Sequence, residues 1–438
     1  MKKIICALLA MTMVLLCAGC GESKTGGTAP SGIYYDITGI APDETLMEVD
    51  GNPISAELYF YWTTYNCSSI DYQLLTAYNY YGSYSDLVSE DGTSLVWSGE
   101  LADGKTLSEF AREQSEDTIK FYSTIETMAK EYDISLTDED KAAIEDSHAA
   151  AVEDLGSEEA FEKYLYQLGL TQEAFDRISS AAYLFDGMTD LVLEEGSPLY
   201  LAEEDYNEYG VYADHILLAT VDPTTGTAIP SDQIAAKLDT ANDLLKQLRA
   251  SDDPETLFAQ LADEYSEDTG RETNPTGYIY TPGTMVEIFE DTAAALEPGE
   301  ISDIIQSDYG YHIILRKDLT EGLKEYPEQK RALAEQHLQS LIELEMADVE
   351  VTYSEKLDDF DAGTFYSDYL DRMGQLAPDE TAEGEDSSAG DTTGNTAGNT
   401  TGSNGATDNT GSTNSNGADS ASGNAANGAA GENSGENG

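Results

Sequence analysis

The sequence has little positive charge: 21 Lys and Arg stand against 85 Asp and Glu over 438 residues, a formal net charge of −64. Nucleic acids and sulfated polymers would be repelled, so a nucleic-acid partner is excluded, and anionic lipid headgroups are unfavourable. Cysteine and histidine are scarce as well, four of each. That leaves no material for a disulfide scaffold or a Cys/His metal centre, and neither a metal nor another cofactor is expected. Tryptophan occurs twice, whereas tyrosine occurs 28 times. The length has room for about two or three domains.

What is present at the N-terminus is a leader. Lys2 and Lys3 precede an apolar run, Ile4 to Leu16, too short to span a bilayer comfortably. Small residues then lead to a cysteine in Leu16-Cys17-Ala18-Gly19-Cys20. This resembles the lipobox of bacterial lipoproteins, whose cysteine is lipidated and becomes the new N-terminus; Cys17 stands where leucine is usual. The resemblance implies a signal peptide over 1–19, a lipid on Cys20, and a protein held at the extracytoplasmic face of a bacterial cell membrane. Residues 20–44 read as a tether because Gly, Ser, Thr and Pro dominate them from Glu22 onward. Residues 375–438 are almost all Gly, Asn, Thr, Ser, Ala and acid. They cannot bury enough apolar surface to offset chain entropy and read as a disordered low-complexity tail.

Between residues 45 and 205 the periodicity is helical. Met47 to Ile54 predicts a short strand and turn. From Ser55 onward Leu58, Tyr61, Trp62 and Tyr65 recur at helical spacing, and Leu107, Ala111, Tyr122 and Ile125 share a face of a longer helix. Thr137, Ser157 and Thr171 are placed as N-caps, with Gly156 and Gly169 as stop signals before the last two. Eight tyrosines fall between Leu58 and Tyr84. Half of them are expected in the helix core and the rest packing a local insertion; an exposed surface for holding client chains is the alternative. Residues 321–374 carry a further amphipathic helix whose apolar side predicts packing back onto the N-terminal helices.

Residues 206–320 have another rhythm. Val211 to Leu218 is strand-like, and a capped helix is predicted from Ser231 to about Leu248. Phe258, Leu261, Ala262 and Tyr265 mark a second helix. A turn at Asn274-Pro275-Thr276-Gly277 precedes a strand over Tyr278 to Tyr280; Pro282 to Met285 opens a helix carrying Phe289, and two strands joined near Asp308-Tyr309-Gly310 close the region. The order βααβαββ predicts an α+β domain with a central antiparallel sheet, inserted between helical segments.

The stretches ADHILL, LFAQLADEYSED, GYIYTPGTMVEIFEDTAAALEPGEIS and YGYHIILR, in that order, resemble the parvulin-type peptidyl-prolyl isomerases. With its lipobox and helical flanks, the whole chain is similar to PrsA-type foldase lipoproteins, and more distantly to SurA-type chaperones. The resemblance implies a parvulin-like fold and an enzyme that twists Xaa–Pro bonds without nucleophile, metal or cofactor. By the same resemblance Met285 and Phe289 match the proline pocket, His215 and His312 match the paired histidines of the central strands, and Asp268 falls where the family has Cys or Asp. Ser307 or Tyr309 supplies a hydroxyl beside them. The histidines are expected to hold the pocket's hydrogen-bond network rather than transfer protons.

Two departures stand out. The family's glycine-rich turn is reduced to Asn274-Pro275-Thr276-Gly277, and no Lys or Arg occurs from Ala219 to Ala236, where phosphate-directed parvulins carry a basic cluster. Selectivity for phosphorylated sites is therefore not expected. The leading expectation is a lipid-anchored foldase acting on unfolded, newly exported proteins with Xaa–Pro bonds, with a homodimer left open. The alternative is a non-catalytic holdase that keeps the parvulin fold as a peptide-binding platform.

Overall fold

Two antiparallel sheets organise the chain, and the first is closed by strands far apart in sequence. A computed structural model describes residues 32–222 and 225–376. The leader at 1–19, the lipidation site Cys20, the tether up to residue 31 and the tail beyond 376 lie outside the described residues. Strands β1 (Thr45–Val49) and β2 (Asn52–Ser55) form a hairpin. Its turn, Asp50-Gly51, has both residues at positive φ, the geometry that matches strand twist. The third strand, β7 (Val351–Tyr353), pairs with β1 from the other side, Met47 opposite Tyr353 and Val49 opposite Val351.

Helices α2 (Ala56–Tyr81), α3 (Leu107–Glu131), α4 (Asp138–Leu155), α5 (Glu158–Leu168) and α6 (Gln172–Leu193) follow the hairpin. Thr137, Ser157 and Thr171 each accept a hydrogen bond from the backbone three residues on, so the cap positions lie where the sequence puts them. Helix α3 begins with a reciprocal capping box between Thr106 and Glu109. After β7 comes α12 (Ala362–Leu376), which packs against α2 and α3 and runs two residues into the stretch expected to be tail.

Part of the expected tether is structured. Residues Gly32–Thr38 form helix α1, with Ile33 and Tyr34 fully buried. Tyr34 packs among Phe60, Phe365 and Tyr369 at ring-centroid distances of 6.0, 5.6 and 6.0 Å. The Gly- and Pro-rich composition gave no sign of this, because what holds α1 is contributed by α2, α5 and α12. The tyrosines of α2 and of the turn after it also depart from expectation. Tyr59 is buried and Tyr61, Tyr65 and Tyr78 are half-buried, but Tyr72, Tyr80, Tyr81 and Tyr84 are exposed rather than packed against an insertion.

The second sheet has the order β4-β3-β6-β5, built from β3 (Val211–Ala219), β4 (Tyr278–Tyr280), β5 (Ile305–Gln306) and β6 (Gly310–Arg316). Every pairing is antiparallel. Helices α7 (Ser231–Ala250) and α8 (Pro254–Tyr265) cover one face, where Leu244, Leu248, Phe258 and Leu261 meet Ile216, Leu218, Ile313 and Leu315. Helix α9 (Glu287–Ala295) covers the other with Phe289 and Ala293. The protein is thus a mainly helical α+β chain with a four-stranded antiparallel sheet between helical segments. Two local expectations shift. Ser231 is the first residue of α7 rather than a cap, since the N-cap position is Pro230 with no side-chain bond, and α9 starts at Glu287, leaving Pro282 to Val286 as a turn.

Helices α10 (Leu319–Glu325) and α11 (Pro327–Met346) lead out of the sheet. Leu319, Leu323, Leu333, Leu338 and Ile342 share one core with Phe121 and Met128 of α3, Met188 of α6 and Tyr212 of β3. One apolar core therefore runs from the helical segments into the edge of the sheet.

Candidate active site

Strand alternation decides which side chains meet on the face under α9. Successive residues point to opposite faces, so Ala213 and His215 of β3 share a face with His312 and Ile314 of β6, and His215 lies opposite Ile314 in register. The imidazoles of His215 and His312 are 5.3 Å apart between ring centroids and nearly perpendicular. Phe289 lies beneath both, 5.1 Å from His215 and 5.9 Å from His312. Above it opens a cavity of about 420 Å³, lined by Leu217, Met285, Phe289, Tyr309 and the two histidines, within the size range of small-ligand sites.

Asp268 follows α8 and turns back toward β3. Its Oδ1 accepts from the Gly270 N–H at 3.0 Å, while Oδ2 faces His215 Nε2 at 3.2 Å and accepts from the Tyr278 hydroxyl. Burial alone would raise the Asp268 pKa, but hydrogen bonds from His215 and Tyr278 outweigh it and bring it to about 2. An ionised carboxylate only accepts, so His215 carries hydrogen on Nε2. Ser307 Oγ accepts from the Tyr309 N–H at 3.1 Å and lies 2.7 Å from His312 Nε2. Burial, with a smaller contribution from nearby His215, lowers the His312 pKa to about 4. The site at neutral pH pairs a charged Asp268 with a neutral His312.

Six of the residues singled out by the sequence therefore line one cavity: His215, Asp268, Met285, Phe289, Tyr309 and His312. Ser307 sits behind it against His312, and Cys20 lies outside the described residues. Met285 is held from its backbone, because the Glu290 carboxylate accepts from the N–H groups of Gly283 and Met285 at 2.8 and 2.6 Å. Sequence reasoning passed over Glu290 and Tyr278. Extending the alternation of β3 across its register with β4, Ala213 opposite Tyr278, was the available signal for the tyrosine. Behind the site, the buried Asp214 carboxylate takes Arg271 Nη1 at 2.6 Å, and Arg271 also reaches Asp263. That pair ties the Asp268 turn to the strand bearing His215. Among the described residues no group of three or more His, Cys, Asp and Glu side chains is arranged to hold a metal ion.

Residues 215–318 match the family model described as Rotamase, the PPIC-type PPIase domain. This region is a PPIC-type peptidyl-prolyl isomerase domain. Foldase protein PrsA 4 of Bacillus cereus is 39% identical over 105 residues, 24% of this chain and 36% of that protein. Foldase protein PrsA of Oceanobacillus iheyensis is 28% identical over 279 residues, 62% of this chain and 81% of that protein, so the likeness continues well past the isomerase domain. The match spans only about a third of the length of the Bacillus cereus relative. Among solved structures, the crystal structure of the peptidylprolyl isomerase PrsA from Bacillus cereus aligns with 62% of this chain and 96% of its own, at 21% identity and a TM-score of 0.27.

The isomerase domain should show a pH signature from His312. Its folded pKa lies below the ordinary 6.5, so the contribution to stability is full above pH 6.5 and is lost as pH falls toward 4. The loss is about 3 kcal/mol for a shift of this size. Urea melts at pH 7 and pH 4.5 should display it, and a His312→Gln variant should have a flatter profile over that window; an equal slope in both proteins would reject the assignment.

Proposed function

We propose that the chain is an extracytoplasmic foldase that accelerates cis–trans exchange of Xaa–Pro bonds in unfolded exported proteins and is anchored by lipid on Cys20. The observation that carries the catalytic part is one cavity joining an apolar seat, Met285 over Phe289, to the His215–Asp268 pair and neutral His312. The anchor and location rest on the leader, Lys2 and Lys3, Ile4 to Leu16, and Leu16 to Cys20.

Rotation about a peptide bond meets a barrier of about 18–20 kcal/mol because the twisted form loses amide resonance. Twisting needs no bond to break. Met285 and Phe289 take the pyrrolidine ring out of water, so the ring is held while the preceding carbonyl turns. In the twisted state the prolyl nitrogen recovers a lone pair and the carbonyl stands apart from it. The imidazoles of His215 and His312 are among the polar groups lining the seat where that change takes place, and Asp268 fixes the first of them through Nε2. Polar groups held in place favour the twisted amide over the planar one without reorganising during the reaction. The loop after β3 lacks cations, and Lys237 is already paired with Glu267 at the cavity edge. A phosphate would meet carboxylate there, which supports unphosphorylated substrates.

The test is exchange NMR on a short unphosphorylated Xaa–Pro peptide with the full chain. Acceleration that disappears in Met285→Ala supports the proposal, and none from a folded chain rejects it. A second reading, a holdase, is favoured by a separate cavity of about 430 Å³ between α2 and α3, lined by Ile70, Leu74, Leu87, Leu101 and Phe110. Exposed Tyr72, Tyr80 and Tyr81 lie on the same helix α2. Suppressed aggregation of an unfolded protein without faster exchange would move the function there.

A further inference from the structure

The Asn274-Pro275-Thr276-Gly277 turn is where this chain departs most from the glycine-rich pattern it resembles, and it is held from outside the isomerase domain. Thr276 Oγ1 lies 2.6 Å from the hydroxyl of Tyr326, eight residues beyond the end of the matched domain. The Thr276 carbonyl accepts from Lys317 Nζ at 2.9 Å and from the Tyr212 hydroxyl at 3.1 Å. The Lys317 ammonium in turn sits 4.4 Å from the centre of the Tyr212 ring. The turn thus has both its side-chain hydroxyl and its carbonyl engaged.

The next two residues carry that placement into the site. Gly277 has φ +101°, and a Cβ there would stand 2.5 Å from the Ala213 carbonyl oxygen, so the turn lies directly on β3. Tyr278 follows, and its hydroxyl donates to Asp268 Oδ2, the oxygen that faces His215 Nε2. A Cβ on Gly270 would stand 2.4 Å from the Tyr278 oxygen, so the phenol is closely confined. Two peptide units therefore separate the Tyr326 contact from a phenol that touches the Asp268 carboxylate.

At the outer end Tyr326 is fixed by the helical segments. It joins α10 to α11, and its N–H bonds to the Gly322 carbonyl at 3.1 Å. Helix α11 packs on α3 and α6 through Leu333, Leu338 and Ile342, and α10 lies against β3 and β4 at Gly322, where a Cβ would meet the Tyr212 ring at 2.6 Å.

We propose that Tyr326 is a positioning residue of the isomerase: its hydrogen bond to Thr276 holds the turn that seats Tyr278 on Asp268, so the helical segments set how well the His215–Asp268 pair is aligned. The catalytic consequence rests on the isomerase reading above; the mechanical coupling does not. The hydroxyl is the part of Tyr326 that matters, because the ring alone leaves Thr276 Oγ1 without its partner.

Tyr326→Phe and Thr276→Val remove the same hydrogen bond from opposite sides. In the full chain each should lower kcat for an unphosphorylated Xaa–Pro peptide about three- to fivefold, the scale of one neutral hydrogen bond. KM should stay within about a factor of two, since Met285 and Phe289 are untouched, and the double variant should match either single one. In a Tyr278→Phe background Tyr326→Phe should change nothing further. The His215 ring resonances, followed by long-range 1H–15N NMR, should move in Tyr326→Phe without any substrate. Wild-type kcat and unmoved His215 signals in folded Tyr326→Phe would overturn the proposal, as would a lower melting temperature with both unchanged. If the unmodified chain does not accelerate exchange, the isomerase reading fails, and the His215 signals still decide whether the coupling exists.

Discussion

Replacing Asp268 with alanine is expected to lower kcat/KM for Xaa–Pro exchange about 100-fold while the chain stays folded, the scale seen when one preorganised electrostatic group is removed from an active site. The size follows from what the carboxylate holds. It receives His215 Nε2, the Tyr278 hydroxyl and the Gly270 N–H together, so the truncation frees the imidazole to rotate and leaves a phenol without an acceptor. Asp268→Asn keeps the shape and removes the charge, and should fall between wild type and Asp268→Ala, about 10-fold down, the order expected for losing one charge-assisted hydrogen bond. The carboxylate also has a stability signature opposite in group type but equal in sign to that of His312. Its folded pKa of about 2 is below the ordinary value, so its contribution is present above pH 4 and is lost only as pH falls through 2. Exchange NMR on both variants with a thermal melt as control is the measurement. Activity of Asp268→Ala within threefold of wild type would remove Asp268 from the mechanism.

The second large effect is structural. Gly277→Ala should destabilise the isomerase domain by about 3 kcal/mol or more, from strain at an unfavourable φ combined with overpacking. The melting temperature should drop by roughly 10 °C. The new Cβ would lie 2.5 Å from the Ala213 carbonyl oxygen and 2.8 Å from the Asp214 Cα, both backbone atoms of the central strand that cannot step aside. Gly104→Ala is the matched control: its φ is +84° but nothing lies within 4 Å of the added methyl. That variant should lose only about 1–2 kcal/mol, the left-handed penalty alone. Equal losses in the two variants would mean that close approach at Gly277 contributes nothing.

Much of the isomerase domain was legible because its signals are local or alternate along one strand. His215 and His312 are placed by the resemblance of ADHILL and YGYHIILR to the family's strands, and the βααβαββ order follows from runs of apolar residues separated by Pro and Gly. Helix caps are equally local, which is why Thr137, Ser157 and Thr171 lie where the pattern puts them. What escaped is held by residues distant in sequence. Helix α1 reads as tether because no property of residues 32–38 reports that Phe60, Phe365 and Tyr369 enclose Tyr34. Four tyrosines between residues 72 and 84 read as packed because an aromatic run carries no mark of which side faces solvent. Tyr278 was hidden by the brevity of β4: three residues are too few to display alternation, and only its register with Ala213 sets the face. Tyr326 and Thr276 are fifty residues apart, with nothing in either segment to pair them.

The closure of the first sheet dictates an order of events as the chain folds. Strand β1 is bordered on one side by β2, which follows it at once, and on the other by β7, whose residues 351–353 are made some three hundred positions later. The four-stranded sheet and its three helices draw only on residues 211–316 and can assemble as soon as that contiguous stretch is free to fold. The helical part must wait with one sheet edge unpaired and the seat for α12 uncovered until residue 376 is free. The longest pairing within the isomerase domain, Ala213 with Arg316, reaches across about a hundred residues, whereas that of β1 with β7 reaches across about three hundred, so the inserted domain is expected to form first and the helical part that encloses it in sequence last.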